Sequence, residues 1–157
     1  MQSRASLFSV VVFSSLAIAA APASTAHAQE TAPRAPGVET PGIEQEVLID
    51  SPLAQFPGKR ILVFTGEFEP GAKTPLHRHP GTELLYVLEG TGTMVLPGRE
   101  SENLTPGTMV LVEPHAGKSS FTHQAVNLSE TNRMRTLVIV IHSEGTPPAL
   151  PVTDKEE

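Results

Sequence analysis

The chain has 157 residues, with 11 basic and 17 acidic side chains, a formal net charge of -6 and no cysteine. Without cysteine, neither a disulfide framework nor a thiolate metal site is possible. The acidic balance argues against a nucleic-acid partner, which would call for a clustered basic face, and provides no polybasic patch for anionic lipid.

The first 28 residues have the organisation of a secretory signal peptide. Arg4 precedes an apolar run, and Ala26-His27-Ala28 matches an A-x-A cleavage site. The apolar run is short, is diluted by serines and has no basic stop-transfer flank, so a retained membrane helix is the weaker interpretation. We therefore expect a secreted or periplasmic protein, cleaved after Ala28 and without membrane attachment afterwards.

The remaining chain divides by composition. Residues 29–45 are rich in Pro, Gly, Thr and charge and predict a flexible leader, and the Pro-rich residues 143–157 predict a loose C-terminal tail. Between them, β-branched and apolar segments alternate with Pro-Gly and Gly-rich turns, which predicts strands and no amphipathic helix. The predicted strands are residues 46–50, 59–69, 74–79, 82–89, 93–96, 100–104, 108–113, 121–127 and 134–142. Residues 46–142 are thus expected to form one all-β sandwich or barrel.

Residues 71–90 hold the most informative cluster of side chains. His77 and His79 lie two residues apart in a predicted strand, so both imidazoles point to the same face. Pro80-Gly81 can turn the chain, and Glu83 in the next strand can then face back toward the same point. Imidazole nitrogens and a carboxylate oxygen suit a divalent first-row transition metal, which can be Fe, Mn, Ni, Co, Cu or Zn.

This cluster resembles the first motif of the cupin superfamily, G-x5-H-x-H-x(3,4)-E-x6-G. The matching residues, at every spacing, are Gly71, His77, His79, Glu83 and Gly90. The second motif, G-x5-P-x-G-x2-H-x3-N, is met with extra residues before the proline and before the histidine. Its equivalents are Gly107, Pro114, Gly117, His123 and Asn127.

The resemblance implies a double-stranded β-helix, or jelly-roll, barrel that holds one metal inside its mouth. The implied ligands are His77, His79, Glu83 and His123, which leave open positions for water, oxygen or substrate. His115, in the lengthened loop of the second motif, is the alternative fourth ligand. His123 is favoured because it precedes Asn127 as the family motif requires and lies in a predicted strand.

Two further side chains have simpler interpretations. His142, at the end of the last predicted strand, is expected to be a structural or surface residue. Tyr86 lies on the strand face opposite to Glu83 and is expected to be a packing residue, for which a sheet shared by two copies is one location. A homodimer formed through edge strands is an expectation from the family.

Resemblance to small single-domain cupins implies an oxidoreductase, such as a dioxygenase acting on a small enolisable substrate. In that role Glu83 would be both metal ligand and catalytic proton acceptor. Two alternatives stay open: non-redox lyase or isomerase chemistry on a sugar acid, and a non-catalytic barrel that binds a small ligand or a metal.

Overall fold

The computed structural model describes residues 40–113 and 122–152, which form ten β-strands and no helix. The predicted signal peptide, most of the predicted leader and His115 lie outside the described residues. Within the described ranges there is no helix with the length and hydropathy needed to cross a bilayer.

Nine of the ten strands overlap the nine predicted segments, and the tenth lies in the predicted tail. They are β1 (Ile43–Pro52), β2 (Lys59–Phe68), β3 (His77–Arg78), β4 (Thr82–Glu89), β5 (Gly92–Val95), β6 (Glu102–Leu104), β7 (Met109–Val112), β8 (Thr122–Asn127), β9 (Met134–Ser143) and β10 (Leu150–Pro151).

The strands form two five-stranded antiparallel sheets that face each other. One sheet has the order β1-β2-β9-β4-β7, which we call the large-strand sheet, and the other has the order β10-β3-β8-β5-β6, which we call the histidine sheet. The predicted all-β jelly-roll fold is confirmed.

The core lies between the inner faces of the sheets, because alternate residues of each strand point inward. Strand β9 shows this alternation without interruption, with Met134, Thr136, Val138, Val140 and His142 buried and their neighbours partly exposed. The buried apolar cluster consists of Ile43, Leu62, Phe68, Leu85, Val87, Met94, Leu96, Leu104, Val110, Val112, Ala125, Met134, Val138 and Val140.

The barrel's strands extend past both ends of the predicted barrel. Strand β1 begins at Ile43, inside the predicted leader, and β10 lies inside the predicted tail, where it pairs with β3. The amino-acid composition of a segment indicates how much apolar surface it can bury. It does not indicate that β3 has unpaired backbone N–H and C=O groups with which the later strand β10 can form hydrogen bonds.

The outer face of the large-strand sheet carries apolar side chains. Leu84 and Tyr86 of β4 are partly buried there and lie opposite Leu111 and Met109 of β7, which are each 54% exposed. Tyr86 is on the face opposite to Glu83, where the alternation of β4 places it. A homodimer remains a prediction.

Candidate metal centre

Three histidines meet on the inner face of the histidine sheet. His77 in β3 and His123 in β8 are direct partners across the antiparallel pair, and their ring centroids are 4.2 Å apart. His79 follows β3 by one residue, and its ring lies 5.0 Å from that of His77 and 5.2 Å from that of His123. One ring nitrogen from each histidine lies within 4.8 Å of the others, which is close enough to hold a metal ion.

Glu83 reaches the same point from the opposite sheet. It is the first of three alternating inward residues of β4, followed by Leu85 and Val87, and is 3% exposed. Its Oε2 atom lies 3.1 Å from Nε2 of His79 and 3.0 Å from Nε2 of His123. Glu83 therefore contacts two of the three clustered histidines from the facing sheet.

Backbone carbonyls determine which nitrogen of two of these histidines faces the centre. Nδ1 of His77 lies 2.8 Å from the carbonyl oxygen of Pro75, and Nδ1 of His79 lies 2.6 Å from that of Pro148. A carbonyl only accepts, so each Nδ1 carries the hydrogen and donates it. In the neutral rings Nε2 then holds the lone pair, as a metal ligand requires.

The buried nitrogen and oxygen atoms at the centre would be stabilised by a cation. Nε2 of His79 and Oε2 of Glu83 are buried and, within the described part of the chain, neither is satisfied by a hydrogen bond of acceptable geometry. Two lone pairs facing each other at 3.1 Å in a buried site repel unless a proton or a metal ion lies between them. Three imidazoles and a carboxylate are a suitable donor set for a divalent first-row metal.

The pKa values agree with this description of the centre without metal. Burial, followed by the nearby His123 ring, lowers the pKa of His77 to about 4, so this ring is neutral at neutral pH. Burial alone would lower the pKa of His79, but the Glu83 carboxylate outweighs it and raises that pKa. Burial alone would raise the pKa of Glu83, but the His123 and His79 rings outweigh it and hold that pKa well below its usual range.

The four side chains border a cavity of about 90 Å³ between the sheets. Most of its other walls are apolar, and they include Leu62, Phe64, Met94, Val138 and Val140. This volume is far below the roughly 300–1,000 Å³ of sites for drug-sized ligands, so the space between the sheets suits a substrate of a few heavy atoms.

Several residues that line the cavity are not marked by any sequence motif. Gln45, from the predicted leader, and Pro148 and Ala149, from the predicted tail, line the cavity. Only the tertiary fold brings these distant segments to the centre.

His142 is buried, and its Nδ1 lies 3.1 Å from the carbonyl oxygen of Ser143 and 3.0 Å from that of Thr146.

Fold and centre together define a class of protein, namely a jelly-roll barrel with a histidine-rich candidate metal centre in its interior. A family model described as "Cupin domain" matches residues 64–140, and the chain belongs to the cupin superfamily. The resemblance found in the two motifs is confirmed. Cupins typically bind a metal.

Solved structures agree with this assignment. A cupin 2 domain-containing protein from Halorhodospira halophila is 28% identical, with a TM-score of 0.56, over 73% of this chain and 72% of that one. The polyketide cyclase RemF from Streptomyces resistomycificus is 29% identical, with a TM-score of 0.54, over 78% of each chain.

Among curated proteins, the chain is 31% identical over 93 residues to Auxin-binding protein 4 of Zea mays. The match covers 52% of this chain and 42% of that protein. The chain spans less than half the length of the curated relatives that it matches.

Proposed function

We propose that the chain is an exported, metal-dependent oxidoreductase of the dioxygenase type that acts on a small enolisable substrate. The observation that carries this proposal is the convergence of three imidazoles and one buried carboxylate on a small cavity with mainly apolar walls. Such a cavity limits the size of the group that can reach the centre.

In this proposal His77, His79, Glu83 and His123 hold one divalent ion from among Fe, Mn, Ni, Co, Cu and Zn. When bound, the ion would polarise a substrate oxygen as a Lewis acid and, if it is redox-active, exchange electrons with dioxygen and substrate. Four protein donors leave coordination positions for these partners.

The chain's own residues bind and orient the substrate. The apolar walls pack against its body, so that its oxygen atoms are directed toward the imidazoles and carboxylate that line the same cavity. Glu83 is proposed to accept the enolic proton as well as to bind the ion. Its low pKa suits the ligand role better, because a proton acceptor works best when its pKa is near the working pH.

One observation favours a second candidate function. RemF, a polyketide cyclase by its description, matches this chain over 78% of each molecule. Non-redox chemistry on an enolisable compound needs only the Lewis-acid role of the ion. The mainly apolar walls fit such a compound better than a sugar acid, whose hydroxyl groups would need hydrogen-bond partners.

The name of the maize relative supports a third candidate, a barrel that binds a small ligand without converting it.

Metal content and oxygen uptake separate these candidates. The chain from Gln29 onward would be purified without a metal-binding tag, reconstituted with each ion in turn and mixed with small enolisable diketones. We expect about one equivalent of metal per chain and oxygen consumption that matches product formation. Conversion without oxygen uptake would instead support the second candidate, and ligand binding without conversion would support the third.

Two variants on strand β4 provide the matched control. Glu83→Gln should lose both metal and turnover, whereas Glu89→Gln, at the exposed end of the same strand, should keep both. A chain that binds no metal after reconstitution contradicts the proposal.

A further inference from the structure

Residues 143–152, which we call the C-terminal clasp, contact the candidate centre directly. We propose that this segment positions the ligand histidines His77 and His79 and forms the cavity wall that limits ligand size. This inference rests on the proposed metal-binding function. It goes further because it assigns part of the site to a segment that neither cupin motif includes.

The first contact of the clasp fixes the orientation of His79. The carbonyl oxygen of Pro148, 2.6 Å from Nδ1, accepts the ring hydrogen and directs Nε2 toward Glu83. Pro148 is buried, so this hydrogen bond is shielded from water. Partners of this kind fix the tautomer and ring orientation of a ligand histidine.

The second contact supports His77. Strand β10 pairs with β3, with Pro151 opposite His77 and Leu150 opposite Arg78, and the backbone N–H of Val152 lies 3.4 Å from the carbonyl oxygen of Leu76. Strand β3 has two residues, and without the clasp it would be held on one side only, by β8. The clasp makes it an interior strand of the sheet.

The third set of contacts anchors the clasp to the barrel. Nδ1 of His142 donates to the carbonyl oxygens of Ser143 and Thr146. The hydroxyl of Thr146 donates to the carbonyl oxygen of Ser143 at 2.6 Å. The backbone N–H of Glu144 also donates to the carbonyl of Gly58 at 2.8 Å. The anchored turn directs the chain back over the cavity, where Pro148 and Ala149 form part of the wall.

Two truncated chains test the proposal. One ends at Thr146 and lacks the part of the clasp that touches β3, and its matched control ends at Val152 and keeps every described contact. Titration with Zn²⁺ or Co²⁺ should show metal affinity about 10–100-fold weaker for the first chain, as for the loss of other outer-shell partners of ligand histidines. The control should bind as the full chain does.

A second measurement is independent of metal. In the metal-free full chain, at a pH where His79 is neutral, the imidazole ¹⁵N shifts should show the hydrogen on Nδ1. The chain ending at Thr146 should show a mixture of tautomers. If that chain is folded but keeps both the single tautomer and the metal affinity, the proposal is overturned.

Ligand size provides the readout for the cavity wall. Acetohydroxamate and benzohydroxamate offer a metal the same two oxygen atoms but differ in the body attached to them. The full chain loaded with Co²⁺ should prefer the smaller probe, and removal of residues 147–157 should reduce that preference. An unchanged preference would contradict the role of the wall.

If the chain ending at Thr146 does not fold, variants of the anchor in the full chain decide. His142→Leu removes the donor to Ser143 and Thr146 and should weaken metal binding and mix the His79 tautomers, whereas His142→Asn keeps a donor near Nδ1 and should restore both. Equal behaviour of the two variants overturns the proposal. Absence of metal binding by the unaltered chain would refute the proposed function, and the tautomer measurement would still test the clasp.

Discussion

Glu83 is a buried carboxylate surrounded by imidazoles instead of by permanently charged side chains. Its neighbours His79 and His123 are themselves 5% and 1% exposed, so water contributes little to stabilising its charge. The charge is therefore compensated within the centre, by a proton on an imidazole or by a metal. In the metal-free protein, the pKa values of the histidines therefore report on the charge of Glu83.

Replacing Glu83 by Gln should lower the pKa of His79 in the metal-free protein. The carboxylate is what raises that pKa against the effect of burial, and an amide carries no charge to do so. An NMR titration of the His79 ring measures the change. Glu89→Gln, on the same strand but exposed, should leave the His79 titration where it is, and a similar decrease in both variants would contradict our description of the centre.

Asn127, the last residue of the second motif, connects three segments of backbone. It is 1% exposed, and its Nδ2 donates to the carbonyl oxygens of Phe68, Glu69 and Asn132 at 2.9–3.2 Å. Its Oδ1 accepts from the backbone N–H of Ser129 at 3.0 Å. The motif asparagine is therefore a structural residue that holds the end of β8 against the end of β2.

Asn127→Ala should lower the free energy of unfolding by about 2–4 kcal/mol, because it removes the four hydrogen bonds that this buried amide makes to the backbone. Chemical denaturation measures the loss. The matched control is Asn103→Ala, at an exposed position of β6, where a change within about 0.5 kcal/mol is expected. Equal stability of the two variants would show that the Asn127 contacts contribute little.

At the scale of elements, turns decide how the strands can pair. Gly90 ends β4 with φ of +79°, and a Cβ atom there would come within 2.7 Å of Cα of Met134 and even closer to the carbonyl oxygen of Arg133. Gly98, in the turn after β5, has a φ of +74° with nothing within 4 Å of such a Cβ. The two glycines share a conformation and differ in the space around them.

Gly90→Ala should therefore destabilise the domain more than Gly98→Ala. The open position incurs only the cost of the left-handed conformation, about 1–2 kcal/mol. The crowded position adds a clash with the backbone at the start of β9, where Met134 is held by its pairing with Phe68 of β2. Thermal unfolding of the two variants measures the difference, and equal losses would mean that the close approach relaxes without cost.

At the scale of the whole molecule, the candidate centre joins the two sheets. Three of its side chains come from β3, β8 and the residue after β3, and the fourth comes from β4 in the facing sheet. A metal bound to all four would link the sheets inside the barrel, and such a site exists only in the folded chain. Metal binding and folding are then coupled.

Saturation with metal should raise the melting temperature, and a chelator should reverse the increase. At a metal concentration one hundred times the dissociation constant, the expected stabilisation is about 2.7 kcal/mol. Scanning calorimetry with Zn²⁺ and then with excess chelator measures it. The His123→Ala variant should show little or no increase, and an increase equal to that of the unaltered chain would place the stabilising ion elsewhere.

Much of the fold and part of the candidate centre could be predicted from local sequence. The alternation of apolar residues, as in β9, depends only on the two-residue period of a strand, and the Pro-Gly pairs mark turns by their own backbone preferences. The same period places His77 and Glu83 on inward faces without knowledge of the partner strands.

Contacts between distant segments depended on the tertiary structure. The sequence by itself determined an all-β chain with His77, His79 and Glu83 close together, because these features follow from dihedral preferences and short spacings. Only the tertiary structure placed His123 opposite His77. It also placed the carbonyl of Pro148 against His79, although these two residues are 69 positions apart in the sequence. The physical reason is that a backbone carbonyl is the same in every residue, so its role as a partner is set by where the fold places it and not by the side chain that the sequence records.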